Sequence, residues 1–324
     1  MLRIYSETLP YAEVVAPSTL RLLARHRLEV VLAVRPWQLA ELPIVAGELA
    51  SAGLSLSVWP MIADEDGRWA NAQNAATFVR FVREVVDGLE RAGVLPREVL
   101  VDLEPPFAQA RALATRGLRA VEARPRATTP PLFDSAAILL ARAVDELRDR
   151  GIATSSAVWP LVALDPPGER GWQGLLGTPV DALATDRVSV MMYTSIVEGW
   201  SRGAVRRHHA TALLSAATER AVRRWGERAG MSVGCVGTGA FEDEPVYRDP
   251  TELAEDVARV RASGCADLSL FDLGGVLARP PAEAWLDAFA HGQSEAVTPR
   301  RSARVGAARR LARVATWALG RARR

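Results

Sequence analysis

Apolar positions fall into eight short runs. These are LRIYSE (2–7), LEVVLAVRPW (28–37), LSLSVWP (54–60), VLVDLE (99–104), IATSSAVWP (152–160), RVSVMMYT (187–194), SVGCVG (232–237) and DLSLFDL (267–273). Each has the length of a buried strand. Between them lie AATFVRFVREVVDGLERAG (75–93), SAAILLARAVDELRDRG (135–151) and TELAEDVARVRASG (251–264), whose apolar residues recur at the spacing of an amphipathic helix. All three close on glycine, a residue favoured just past a helix C-terminus because it adopts positive φ freely. Stretches 38–52 and 205–229 fit helices less sharply.

Strands alternating with helices predict a parallel sheet covered by helices. Eight is the number that closes a (β/α)8, or TIM, barrel, and residues 1–292 have a usual length for one. The competing open, doubly wound sheet carries a glycine-rich phosphate loop after its first strand. Here that place holds TLPYAEVVAP, which has no glycine. The expected architecture is therefore a barrel over 1–292 followed by an Arg-rich tail, amphipathic or disordered, over 293–324. Residues 105–133 read as a long Pro- and Arg-rich connection after the fourth strand, suited to a lid on the catalytic face.

The fourth run ends unusually. VLVDLEPP (99–106) passes from apolar residues into Asp102 and Glu104, then stops at two prolines. Strand side chains alternate, so Val99, Val101 and Leu103 face the helices while Leu100, Asp102 and Glu104 face the barrel interior. Two residues along a strand span about 6.6 Å. At that separation in a partly dry mouth, like charges push one pKa upward and keep a proton on one carboxyl, which a general acid requires. The same parity brings Glu7, Arg35, Trp59, Trp159, Tyr193 and Asp272 to the mouth. Carboxylates with flat aromatic faces suit a glycan, since a sugar ring offers both hydroxyls and an apolar face. The sterner alternative is structural: Asp102 and Glu104 ion-paired to Arg3 and Arg35, with the tryptophans as core.

Composition narrows the classes. The chain has 324 residues, 49% of them hydrophobic, and no stretch near the roughly 20 apolar residues that span a membrane. No basic region with a following apolar run opens the chain, so a cytoplasmic location is expected. Cys235 and Cys265 have no CxxC or histidine neighbours and read as small buried side chains. His26, His208, His209 and His291 fall in helices or loops and read as surface residues, which leaves a histidine metal site or a Ser-His-Asp triad without support. No cofactor is implied.

All 40 basic residues are arginine, and nine of them follow the last acidic residue, Glu295. Residues 1–299 thus carry 31 arginines against 38 acidic residues. An acidic body bears a basic appendage, TPRRSARVGAARRLARVATWALGRARR (298–324). Such a segment is a solvated terminus or a helix that lies on an anionic membrane surface or a protein partner. Nucleic acid is the poorer fit, because no recognition module surrounds it.

Two fragments carry a family resemblance. Asp102-Leu103-Glu104 matches the end of a DxxDxDxE motif, and Met191-Met192-Tyr193 matches the MxY of MxYD. In this the chain resembles the chitinase-like glycoside hydrolases of family 18, which are (β/α)8 barrels with these motifs on strands four and six. The resemblance implies Glu104 as the acid that protonates the glycosidic oxygen. It implies Asp102 as the carboxylate orienting the substrate's N-acetyl group, and Tyr193 as that group's hydrogen-bond partner. The chain departs from the pattern at Arg97 and Leu100, where the motif has aspartates, and at Thr194, which replaces the last residue of MxYD. The family's tryptophan at the end of strand eight has no counterpart in LSLFDLGG.

Three functions follow as expectations. The first is a glycoside hydrolase-like protein acting on a glycan or sugar-containing small molecule through Glu104, Asp102 and Tyr193, with Trp59, Trp159, Glu7, Arg35 and Asp272 binding substrate. The second is a carbohydrate-binding barrel without catalysis, suggested by the missing aspartates. The third is a divalent-metal enzyme using oxygen ligands from Glu7, Asp102, Glu104 and Asp272.

Overall fold

The computed structural model describes residues 1–116, 129–201 and 203–292. Its strands are β1 (Leu2–Ser6), β2 (Glu29–Val34), β3 (Leu56–Pro60), β4 (Glu98–Leu103), β5 (Ala153–Val158), β6 (Arg187–Met191), β7 (Ala229–Gly234) and β8 (Asp267–Phe271). They close a barrel in chain order, β8 returning to β1. The fold is a (β/α)8 barrel. Every residue of β2, β3, β4 and β7 is buried, the mark of a parallel sheet covered on both faces.

All eight apolar runs contain strand. The seventh is displaced: β7 starts at Ala229, before SVGCVG. Ala229 and Gly230 give little hydrophobic signal. Gly230 pairs with Asp267 of β8, and a Cβ there would stand 3.2 Å from the Asp267 carboxylate. The predicted helices form as Ala75–Arg91, Pro130–Asp149 and Pro250–Ala262, and the weaker ones as Leu42–Ser51 and Arg207–Trp225. Ala75–Arg91 buries Phe78, Val79, Phe81, Val82, Val85, Val86 and Leu89 on one face, the stripe its periodicity required. The connection expected over 105–133 is partly helical: the helix Phe107–Arg116 lies within it and Pro130 opens the next helix. Residues 117–128 and the Arg-rich stretch 293–324 lie outside the described residues.

Contacts divide the described chain into two compact units. Of the described residues, one takes those in 1–32, 47–56 and 189–292; the other takes those in 33–46 and 57–188. In the first, Arg3 donates to Asp267 at 2.6 Å, and Tyr5, Ser232 and Ser189 join hydroxyl to hydroxyl at 3.1 and 2.8 Å. In the second, Glu98 accepts from Ser155 and Arg187, each at 2.6 Å. Each of these groups lies on the alternation parity that faces the interior, and each is paired, as buried polar groups must be.

Two histidines correct the surface expectation. His26 is buried, with one ring nitrogen 2.9 Å from Leu22 O and the other 3.1 Å from Asp287. His209 is buried too, and its Nδ1 accepts from the Arg206 amide at the start of its helix. In both cases a hydrogen-bond partner offsets the burial that an average residue ranking disfavours. Both cysteines are buried and free.

Candidate active site

The carboxylates of β4 stand where the strand leaves the sheet. Register aligns Leu103 with Val158, which sets the next residues, Glu104 and Trp159, side by side. The Trp159 indole N–H donates to Glu104 Oε2 at 2.6 Å. On the other flank β3 pairs Ser57 with Glu98 and Val58 with Val99. Trp59 therefore starts two residues below Asp102, and its long side chain leans along the strand to donate to Asp102 Oδ2 at 3.1 Å. Each carboxylate thus has an indole N–H as donor.

Burial sets the acidity. Asp102 is 0% and Glu104 9% exposed. Loss of solvent raises the Glu104 carboxyl from the ordinary 4.5 to about 7, while the Trp159 N–H, hydrogen bonding with Asp102 and the positive charge of Arg68 pull it down. A carboxyl that titrates there holds a proton for much of the neutral range and can give it up.

The loop after β3 supplies that arginine. Met61 N bonds to Val34 O, Ala70 N to Asp102 O and Ala72 N to Gly177 O, which pins the loop to the ends of β2 and β4. Gly67 turns it at φ +102°, and Arg68 follows in the left-handed region at φ +61°. That conformation costs an L-residue on the order of 1 kcal/mol. Arg68 grips both oxygens of Asp64 at 2.8 Å and lies 4.6 Å above the Phe107 ring. Arg35 takes Asp64 as well, at 2.5 Å. Asp64 is held down to about 2, first by the Arg68 hydrogen bond, with burial opposing and Arg35 assisting.

The arginine alternative from the sequence changes accordingly: Arg3 holds Asp267 and Arg35 holds Asp64. Arg35 is a strut of the loop. Trp59 is 5% exposed with its N–H directed at Asp102, so it packs and orients a carboxylate and presents little face to a ligand. Trp159 is partly exposed.

The remaining predicted residues belong to the other unit. Tyr193 stacks on Phe271 with centroids 5.5 Å apart, and Phe271 in turn lies 6.1 Å from the Tyr5 ring. Gly234 makes this fit: a Cβ there would stand 3.1 Å from the Tyr193 ring. Behind it, Thr194, the departure from MxYD, gives its hydroxyl to buried Asp256. Asp256 also accepts from Tyr247 at 2.7 Å and Arg207 at 2.8 Å. Burial raises the Asp256 carboxyl, and the Arg207 charge and these hydrogen bonds oppose it. Glu7 lies beside Gly239, whose missing Cβ leaves room for Glu7 Oε2 and the Phe271 ring.

Asp272 is corrected by the parity of its neighbour. Phe271 takes the inward place, and Asp272 caps the helix Leu273–Ala278, accepting from Gly275 N at 3.0 Å. Burial lifts its carboxyl to about 6, against the Gly275 and Gly274 amides. Its side chain serves as a helix cap. Among the described residues no three His, Cys, Asp or Glu side chains converge as a metal site. Among them, too, no helix is long and apolar enough to cross a membrane.

Two features escaped the sequence reading. Arg68 carries no motif, and only the positive φ of a surface loop brings it toward Glu104. Glu98 lies on the same parity as Asp102 and could have been found by counting four residues back along β4.

No protein-family model matches the chain, and no curated protein sequence matches it. Solved structures do. A chitinase from Chromobacterium violaceum superposes with a TM-score of 0.53 at 13% identity, over 91% of this chain and 99% of that one. The PgaB (BpsB) glycoside hydrolase domain from Bordetella bronchiseptica gives 0.52 at 14%, over 90% and 99%. A GH113 β-1,4-mannanase gives 0.52 at 14%, over 90% and 98%. The chain shares its barrel fold with these glycoside hydrolases.

Proposed function

We propose that this chain hydrolyses glycosidic bonds, with Glu104 as general acid. The observation that carries the reading is a buried carboxyl at the C-terminal end of β4, lifted to about 7 and held by an indole N–H. Barrel enzymes place their chemistry at that end of the strands. Glu104 gives its proton to the glycosidic oxygen as the bond from that oxygen to the anomeric carbon breaks. Asp102, with Trp59 behind it, keeps a second carboxylate next to the acid. Both carboxyls rise from one strand, so the reading favours a substrate that supplies its own nucleophile. An N-acetyl oxygen would close on the anomeric carbon, and water would reopen the ring as ionised Glu104 takes its proton.

The fold neighbour named as a chitinase suggests the first probe, β-1,4-linked oligomers of N-acetylglucosamine, and the one named as a β-1,4-mannanase suggests mannose oligomers, which lack the acetamido group, as the contrast. Release of reducing ends would be measured for the whole protein and for Glu104→Gln. Loss of about 10²-fold or more in turnover with the fold intact supports the assignment. Equal turnover refutes it. Binding without turnover in both proteins favours a carbohydrate-binding barrel instead.

A further inference from the structure

Trp37 is 68% exposed, an exposure that among the large hydrophobic side chains of the described residues is matched by Ile44. It follows β2 directly, in the short turn Pro36–Gln38. It is not loose. Pro36 fixes the first φ of the turn. The Gln38 amide bonds to Arg35 O at 2.9 Å, and the Gln38 side chain accepts from Arg35 N at 2.9 Å. The Arg35 guanidinium sits 4.7 Å from the Trp37 ring centroid, a cation–π support. That guanidinium is itself braced: Nη2 donates to Asp64 at 2.5 Å and Nη1 reaches Met61 Sδ at 3.8 Å. Asp64 is clamped by Arg68, whose charge acts on Glu104. A continuous brace therefore runs from the exposed indole to the loop beside the acid.

Trp37 and Glu104 both follow the C-terminal ends of their strands, β2 and β4, with β3 between. Strand spacing puts those ends roughly 10 Å apart. A single sugar at Glu104 does not reach that far; a chain of several rings does. A flat indole, supported on one face and open on the other, loses little freedom when a ring settles on it.

We infer that Trp37 is a distal stacking subsite for a pyranose ring of an extended glycan, beyond the rings that flank the bond at Glu104. Its ligand is a β-linked pyranose whose axial C–H groups form one apolar face and whose hydroxyls point outward to solvent. The inference rests on the glycan reading of Glu104 for its ligand class, and its test separates the two.

The probes are the β-1,4-linked hexasaccharides and disaccharides of N-acetylglucosamine and of mannose. Affinity is measured by calorimetry for the unaltered protein, Trp37→Ala and Glu104→Gln. Trp37 is exposed, so its truncation leaves the core untouched. The expected result is a loss of about tenfold or more in affinity for a hexasaccharide in Trp37→Ala, with disaccharide affinity unchanged. Trp37→Phe should recover part of the loss. Equal hexasaccharide affinity in Trp37→Ala overturns the subsite, as does an unaltered protein that binds no hexasaccharide. A Trp37→Ala variant that changes oligomeric state in sedimentation with oligosaccharide affinity intact also overturns it, and makes the indole a protein contact. If hexasaccharide binding needs Trp37 while Glu104→Gln keeps full turnover, the subsite stands and the general acid falls. If Glu104→Gln abolishes turnover while Trp37→Ala changes nothing, the reverse holds.

Discussion

Trp159 and Glu104 are joined by an indole N–H to carboxylate bond of 2.6 Å, set by the register that lays β4 against β5. The bond favours the ionised carboxylate, so it works against the burial that keeps Glu104 protonated. Removing it should make the acid weaker. Trp159→Phe is expected to move the alkaline limb of the pH–rate profile upward by about one pH unit. A limb that stays in place would mean the bond does not govern the acid.

The Glu104 carboxyl has its own signature in stability. Its folded pKa of about 7 stands above the ordinary 4.5 expected of the unfolded chain. As pH rises from about 4.5, the unfolded state releases this proton first. The contribution of Glu104 to stability is therefore full below about 4.5, falls through the window and is lost above about 7. Glu104→Gln should unfold at higher urea than the unaltered protein at pH 8.5, with the advantage gone at pH 4.5. An advantage of equal size at both values would contradict the raised acidity constant. In turnover the same group predicts a decline of tenfold per pH unit above about 7.

Asp64 tests the loop from the opposite direction. Its side chain is 40% exposed, so the pairs with Arg35 and Arg68 are screened and Asp64→Ala should cost only about 1 kcal/mol. Its effect on the acid should be plainer. Removing the negative partner leaves the Arg68 charge uncompensated near Glu104, which stabilises the carboxylate. The alkaline limb should move to lower pH, opposite to Trp159→Phe. A shift in the same direction as Trp159→Phe would count against the electrostatic role of Arg68.

Asp256 is a purely structural wager. It is fully buried and accepts from Thr194, Tyr247 and Arg207. Asp256→Ala strands the Arg207 guanidinium in low dielectric and should destabilise by roughly 3–5 kcal/mol in urea unfolding. Adding Arg207→Met should restore part of this, because the orphaned charge goes with it. Full additivity of the two losses would show that the pair does not interact.

The amino-acid sequence by itself determined the barrel, because closure depends on patterns read locally. Eight apolar runs of strand length, separated by amphipathic stretches, leave few other ways to bury both faces. It also determined that Asp102 and Glu104 share a strand face, since alternation is a property of the backbone. Only the tertiary structure decided which groups meet them. Trp59 reaches Asp102 through the stagger between β3 and β4, and Arg68 reaches Glu104's field through a loop held at positive φ. Asp272 lost its place at the mouth because Phe271 took the inward parity and the next residue capped a helix. Register, side-chain reach and capping depend on residues far apart in the chain, and periodicity carries no record of them.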